Sequence, residues 1–226
     1  MSEQPLNSPL TPCRVALYVD GFNLYFGMRA AGLRRFYWLD ICQLAGSLLR
    51  PDQTLAVCRY FTSRISAPDM ANQSAMAAAL REKRERQSQY LDALALQAGL
   101  DIQFGQYLAK PGHCRACGVT WPSYEEKMTD VNIATAILTD AFQDRFDMAL
   151  LVSADSDLTA PILAVRQLFP SKRVILAFPP RRNSVTLRRI ASGFVHIEAS
   201  HLSKSQLPDE ITKPDGYVLR RPDKWK

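Results

Sequence analysis

Two short runs, RVALYVD over 14–20 and DMALLVS over 147–153, constrain this chain more than any other feature, because both are almost continuously apolar. A strand without polar alternation has to be covered on both faces, as strands are in a parallel sheet sheathed by helices. The segments around them agree. FNLYFGMRAAG (22–32) suits a helix, and a second is expected across 39–49, beginning near Asp40 and stopped by Arg50-Pro51. TLAVCRYFTS (54–63) reads as a strand from its β-branched and aromatic residues. Met76, Leu80, Leu91 and Leu94 mark one face of a long helix ending near Gly99, and DIQFGQYLAK (101–110) alternates as a further strand. Residues 129–142 form a helix apolar on most sides, which predicts burial all round. A helix over 156–168 with Pro161 in its first turns, a strand over 173–179, a helix near 184–191 and a strand over 194–198 continue the alternation. The expected fold class is α/β with a central, mainly parallel sheet.

In such sheets functional groups collect beyond the carboxyl ends of the strands, and both apolar runs end in aspartate. LYVDG supplies Asp20; LVSADSD supplies Asp155 and Asp157. Taken singly, Asp20 serves equally as the turn former of an Asp-Gly pair, and Asp155 as a cap for the helix that follows. Taken together they gain weight, since neighbouring parallel strands would bring these carboxylates close. Crowded carboxylates repel and resist ionisation unless a cation joins them, and hard ions such as Mg²⁺ or Mn²⁺ prefer such oxygen ligands. Asp130, in TDVNIATAIL, is a third acid or a helix cap. Asn23 caps the turn after Asp20 or binds a phosphate or a metal-held water.

VDGFNLYFG (19–27), EEKMTDVNIATAIL (125–138) and LLVSADSDLTAPI (150–162) resemble the three signature blocks of NYN-domain proteins, the LabA-like branch of the PIN-like nucleases. They stand in that family's order and spacing, and the resemblance covers residues 13–200. It implies a PIN-like three-layer α/β/α sandwich and Mg²⁺- or Mn²⁺-dependent hydrolysis of phosphodiester bonds, with RNA the usual substrate. By position it places Asp20, Asp130, Asp155 and Asp157 in the acidic metal site and Asn23 as their polar companion in catalysis, with Ser153 just ahead of the paired acids. Met128 and Ala154 stand where the family commonly has glycine, which bears on local geometry and leaves every carboxylate in place. The chemistry implied is metal-assisted hydrolysis, with Asp20 and Asp155 as chief ligands and Asp130 and Asp157 completing the charge and orienting water. One ion or two would satisfy it.

The net charge of +6 is compatible with a polyanionic partner, and its placement says more. Arg181, Arg182, Arg188 and Arg189 fall within nine residues that contain no acid, and are expected to contact phosphates. REKRER (81–86) mixes both signs and reads as a solvated helix face. The chain divides into a disordered leader (1–12), a nuclease-like domain (13–204) with an inserted Cys-containing loop (110–123), and a basic tail (205–226). Cys114 and Cys117 in that loop are half of a zinc knuckle, and a structural Zn²⁺ would need two further ligands. Cys13, Cys42 and Cys58 lie in or beside apolar segments and are expected in the core. No run approaches the ~20 apolar residues of a membrane helix, and MSEQPLNSPLTPC has no basic segment followed by an apolar one. A cytoplasmic location without structural disulfides is therefore expected, with RNA as partner, no membrane, and a homo-oligomer left open. Two other readings remain: an RNA-binding or scaffold protein that keeps the fold without turnover, and a small-molecule phosphatase, for which the first strand carries DGFN in place of DxDx(T/V). No nucleophile elbow, Walker-type loop or GxGxxG is present.

Overall fold

Six parallel strands form the core, and the chain enters the sheet at its middle. In a computed structural model, residues 12–65, 75–109, 112–121 and 124–226 are described; the leader expected at 1–12 lies almost wholly outside them. The first half comprises β1 (Cys13–Asp20), α1 (Gly21–Ala30), α2 (Ile41–Leu48), β2 (Gln53–Thr62), α3 (Ala75–Ala95) and β3 (Leu100–Phe104). An excursion follows through β4 (Gln106–Ala109), β5 (Gly112–His113), β6 (Thr120–Trp121) and β7 (Tyr124–Lys127), paired antiparallel as β4 with β7 and β5 with β6. The second half comprises α4 (Thr129–Phe142), β8 (Met148–Val152), α5 (Thr159–Leu168), β9 (Arg173–Phe178), α6 (Val185–Ile190) and β10 (Gly193–His196). α7 (Ala199–Lys204) and a hairpin of β11 (Glu210–Thr212) and β12 (Val218–Arg220) come last. The central order is β10-β9-β8-β1-β2-β3, every pairing parallel.

The pleat of β1 sorts the helices into two layers. Val15, Leu17 and Val19 face Leu24 of α1, Leu44 of α2 and Leu91 and Leu94 of α3. Ala16 and Tyr18, on the opposite face, meet Ile133 and Ile137 of α4, Ile162 and Val165 of α5 and Leu187 of α6. This is the doubly covered parallel sheet that the apolar runs predict and the three-layer α/β/α sandwich that the resemblance implies. Each fully buried leucine contributes about 1.5–3 kcal/mol, so β1, buried from Val15 onward, anchors both layers. The interior also holds one compensated ion network: Asp140, fully buried, accepts from the Tyr18 hydroxyl (2.8 Å), two Arg59 nitrogens (2.8 and 2.9 Å) and Arg145 (3.4 Å).

Several expectations are corrected. The strand read at 101–110 breaks at Gly105, where a Cβ would stand 2.5 Å from the Lys127 carbonyl oxygen, so the chain turns out of the sheet to pair with β7. Helix 129–142 has the expected bounds but is buried on one side only: Ile133 and Ile137 are covered, while Val131 and Phe142 are exposed. Within REKRER, Lys83 and Arg86 are half-buried, so that face is only partly solvated. The basic tail docks. Trp225 packs on Tyr37 (5.7 Å), Tyr90 (6.0 Å) and Trp38 (6.3 Å), and Arg220, Arg221, Lys224 and Lys226 pair with Glu210, Asp209, Glu82 and Asp223. Most of the tail's positive charge is therefore matched locally. Cys58 is buried, and Cys13 and Cys42 pack at the edge of the same core. Among the described residues no helix is long and apolar enough to cross a membrane.

Candidate active site

The sheet order reverses direction between β1 and β8, the position at which an open parallel sheet forms a crevice beyond the carboxyl ends of its strands. Val19 lies opposite Val152. One residue further on, the Ser153 hydroxyl donates to Asp20 Oδ2 (3.0 Å) and accepts from the Asp155 N–H (3.1 Å). Asp20 Oδ1 accepts from the Asn23 N–H (2.9 Å), so Asp20 is also the N-cap of α1. Asp155 Oδ1 likewise accepts from the Asp157 N–H (3.0 Å), capping the short 3₁₀ turn Ser156–Leu158. Both acids are thus caps, and the hydrogen bonds that make them so fix the direction of their carboxylates. Asn23 Oδ1 accepts from the Ala154 N–H (3.2 Å), which ties α1 to the turn after β8 and leaves its amide NH₂ without a partner among the described residues.

Asp20 is 4 % exposed, and its hydrogen-bond partners are neutral. Burial is the main force resisting its ionisation; the Asn23 N–H and Ser153 hydroxyl partly offset it, and the charges of Asp130 and Asp155 add to it, so its pKa is pushed up to about 7. Asp130, half-buried in the first turn of α4, is pushed up to about 6 by burial and by the charges of Asp155, Glu126 and Asp157. Asp20 and Asp130 thus both feel the charge of Asp155, and Asp130 that of Asp157 as well. Asp140, equally buried, has cations on its oxygens; Asp20 has none among the described residues.

Glu126 was not singled out in the sequence. Its Oε1 accepts from the Thr129 N–H (3.1 Å), from the Thr129 hydroxyl and from Ser63 Oγ (3.3 Å). It caps α4 because Met128, at the N-cap position, is left-handed (φ 76°) and makes no side-chain cap. That backbone explains a glycine preference at position 128. An acid three residues ahead of Thr129 is the reverse of the capping-box spacing, so no sequence signal marked it.

The donor set is entirely hard oxygen, which suits a divalent cation such as Mg²⁺ or Mn²⁺ and suits softer ions poorly. Among the described residues no three His, Cys, Asp or Glu side chains are grouped closely enough to hold an ion. The same holds at Cys114 and Cys117 in the turn between β5 and β6: no third ligand joins them, so the zinc expectation finds no support.

Arg181 and Arg182 follow β9, and Arg188 and Arg189 lie in the last turn of α6; all four are exposed. Arg188 stacks on Phe194 at 4.2 Å. Their loop is clamped to α1, where a Cβ on Gly27 would stand 2.7 Å from the Pro180 carbonyl oxygen and 3.2 Å from Arg182 Cγ. Arg182 and Asp20 are thus both tied to α1.

The NYN domain matches residues 14–198. The chain is 22 % identical over 243 residues to 6-hydroxy-3-succinoylpyridine 3-monooxygenase HspA of Pseudomonas putida, covering 95 % of this chain and 76 % of that protein. The crystal structure of a protein of unknown function from Vibrio parahaemolyticus shares the fold at TM-score 0.53 and 20 % identity, covering 89 % of this chain and 100 % of that one. Because the family match takes in both apolar strands, α4 and every acid of the crevice, the chain belongs to the NYN domain family, a group of PIN-like nucleases.

Proposed function

We propose that the protein is a Mg²⁺- or Mn²⁺-dependent ribonuclease of the LabA-like branch, with Asp20, Asn23, Asp130, Asp155 and Asp157 as its site. One observation carries the reading: Asp20 is a buried carboxylate with only neutral partners, facing other carboxylates at the switch point of the sheet. Left to itself, such a group is destabilising; a bound cation makes it useful.

Asp20 and Asp155, both held by Ser153, would be the chief ligands, with Asp130 and Asp157 closing the charge. A divalent cation there supplies acidity toward water and positive charge toward the scissile phosphate. Asp130, half-buried in the first turn of α4, would orient the attacking water beside the cation. The amide NH₂ of Asn23, fixed by the Oδ1 bond to Ala154, donates to a phosphate oxygen. Arg181, Arg182, Arg188 and Arg189 hold the flanking phosphates. The experiment is cleavage of labelled single-stranded RNA with Mn²⁺, with Mg²⁺ and with chelator, beside single-stranded DNA and a phosphomonoester. Metal-dependent cleavage of RNA alone supports the reading; hydrolysis of the phosphomonoester alone points to a phosphatase and overturns it.

A second reading is favoured by the alignment along 95 % of this chain with a protein named as a monooxygenase of 6-hydroxy-3-succinoylpyridine. On that reading the substrate is a small heteroaromatic acid. Its test is loss of that compound in the presence of oxygen and an electron donor, followed by mass spectrometry. An unchanged compound removes this reading.

A further inference from the structure

Beside the acidic crevice, α1 and α3 enclose a cavity of about 750 Å³ that the hydrolytic reading leaves unused. Its volume is that of a small-molecule site. Its wall on one side is aromatic: Tyr25 lies against Tyr37 (5.1 Å), and Tyr37 meets Trp225 edge-on (5.7 Å). Arg29, Arg34 and Lys83 also line it. Two further lining cations, Arg86 and Lys224, share one acid, Glu82, whereas Arg29, Arg34 and Lys83 have no acidic partner among the described residues. Lys83 is half-buried, and burial together with the charges of Arg29 and Arg86 pulls its pKa down. Unpaired cations crowded at an aromatic wall leave a place for an anion attached to a ring. Gly21, next to Asp20, and Glu126, whose charge acts on Asp130, also line the cavity, so it adjoins the acids.

We propose that this cavity binds a planar aromatic ring bearing an anionic group, the ring against Tyr25, Tyr37 and Trp225 and the anion on Arg29, Arg34 and Lys83. Two sources carry that chemistry: one nucleotide of an RNA strand, with its base unstacked and its phosphate on the cations, or a free aromatic acid. The inference goes beyond hydrolysis, because binding here uses none of the four aspartates and persists without metal.

The test is calorimetric titration of the full chain, in chelator, with a nucleoside 5′-monophosphate, with pyridine-3-carboxylate, and with inorganic phosphate and acetate as ringless anions. A ring-bearing anion should bind about tenfold or more tightly than either ringless one. The double variant Arg29→Gln/Lys83→Met should lose about tenfold or more of that affinity with an unchanged melting temperature, while Arg50→Gln, exposed and outside the cavity, keeps it. Binding of the nucleotide alone assigns the cavity to RNA, and binding of the pyridine acid alone assigns it to a small aromatic acid. Equal affinity for ringless anions, no binding of either ring-bearing probe at millimolar concentration, or binding indifferent to the double variant would overturn the proposal. An absence of RNA cleavage would leave these outcomes unaffected, so the two readings fail separately.

Discussion

Ser153 Oγ donates to Asp20 Oδ2 at 3.0 Å and accepts from the Asp155 N–H at 3.1 Å, so a single buried hydroxyl sets the spacing of two strand-end acids. Its loss should be felt mainly in metal affinity. Ser153→Ala is expected to weaken Mn²⁺ binding roughly 10- to 100-fold, as removal of groups that orient metal ligands does, and to cost about 1 kcal/mol of stability. The lost hydrogen bond also raises the Asp20 pKa further, so the acid limb of the pH–rate profile should move to higher pH. Calorimetric Mn²⁺ titration and that profile check both.

The metal-free protein should weaken as pH rises toward neutrality. Asp20 and Asp130 are raised to about 7 and about 6 in the fold, above an unfolded value near 3.9. Their contribution is therefore fully present below about pH 4 and is lost as pH climbs through 6 and 7. Melts in chelator should fall between pH 5 and pH 8, Asp20→Asn should flatten that fall and raise the melting temperature at pH 8, and Mn²⁺ should restore the wild-type protein by binding its folded state. Asp144 and Asp147 are lowered by Lys172 and Arg14 and act with the opposite sign, at more acid pH.

The sheet and the acids were legible because the two most apolar strands both end in aspartate, and a doubly covered strand leaves little choice of fold. What escaped the sequence depended on three-dimensional neighbours. Gly105 breaks the alternation of 101–110 only because the Lys127 carbonyl lies beside it. Val131 and Phe142 made α4 look buried all round, yet the helix has one layer to cover rather than two. Trp225 near the chain's end fills a space among Tyr37, Trp38 and Tyr90, residues remote in sequence, and no periodicity announces such a contact. Glu126 went unremarked because its value lies in Met128's left-handed backbone beside it.

That backbone yields its own prediction. A side chain at φ 76° is strained, and glycine removes the strain at some entropic cost. Met128→Gly should raise stability by up to about 1 kcal/mol, about 2–4 °C in melting temperature for a domain of this size. Differential scanning calorimetry measures it; a drop of similar size would show that Met128 makes packing contacts worth more than the strain.

Asp140 provides the contrasting acid. It is fully buried like Asp20 but is satisfied by Arg59, Arg145 and Tyr18. Asp140→Asn should destabilise by about 3 kcal/mol or more, because it removes a fully buried carboxylate and leaves half-buried Arg59 with only Asp101 as counter-ion. Activity per folded molecule, measured well below the new melting temperature, should be unchanged.

The exposed arginines should act on binding rather than on turnover. Arg182→Gln/Arg188→Gln is expected to flatten the salt dependence of RNA binding by a slope of ~0.7 per lost single-strand contact. Fluorescence anisotropy in chelator across a salt series gives that slope, and curves that overlay the wild type would place the phosphates elsewhere.

The central claim, that the buried acids form a cation site for phosphodiester cleavage, meets its most direct test in single-turnover cleavage of labelled RNA by wild type and Asp20→Asn, with Mn²⁺ and with chelator. The account predicts cleavage abolished by chelator and reduced about 100-fold or more in Asp20→Asn, while the variant binds RNA undiminished in chelator and melts no lower than wild type. Chelator-resistant cleavage, or an Asp20→Asn activity that falls only as far as its folded fraction, would contradict it.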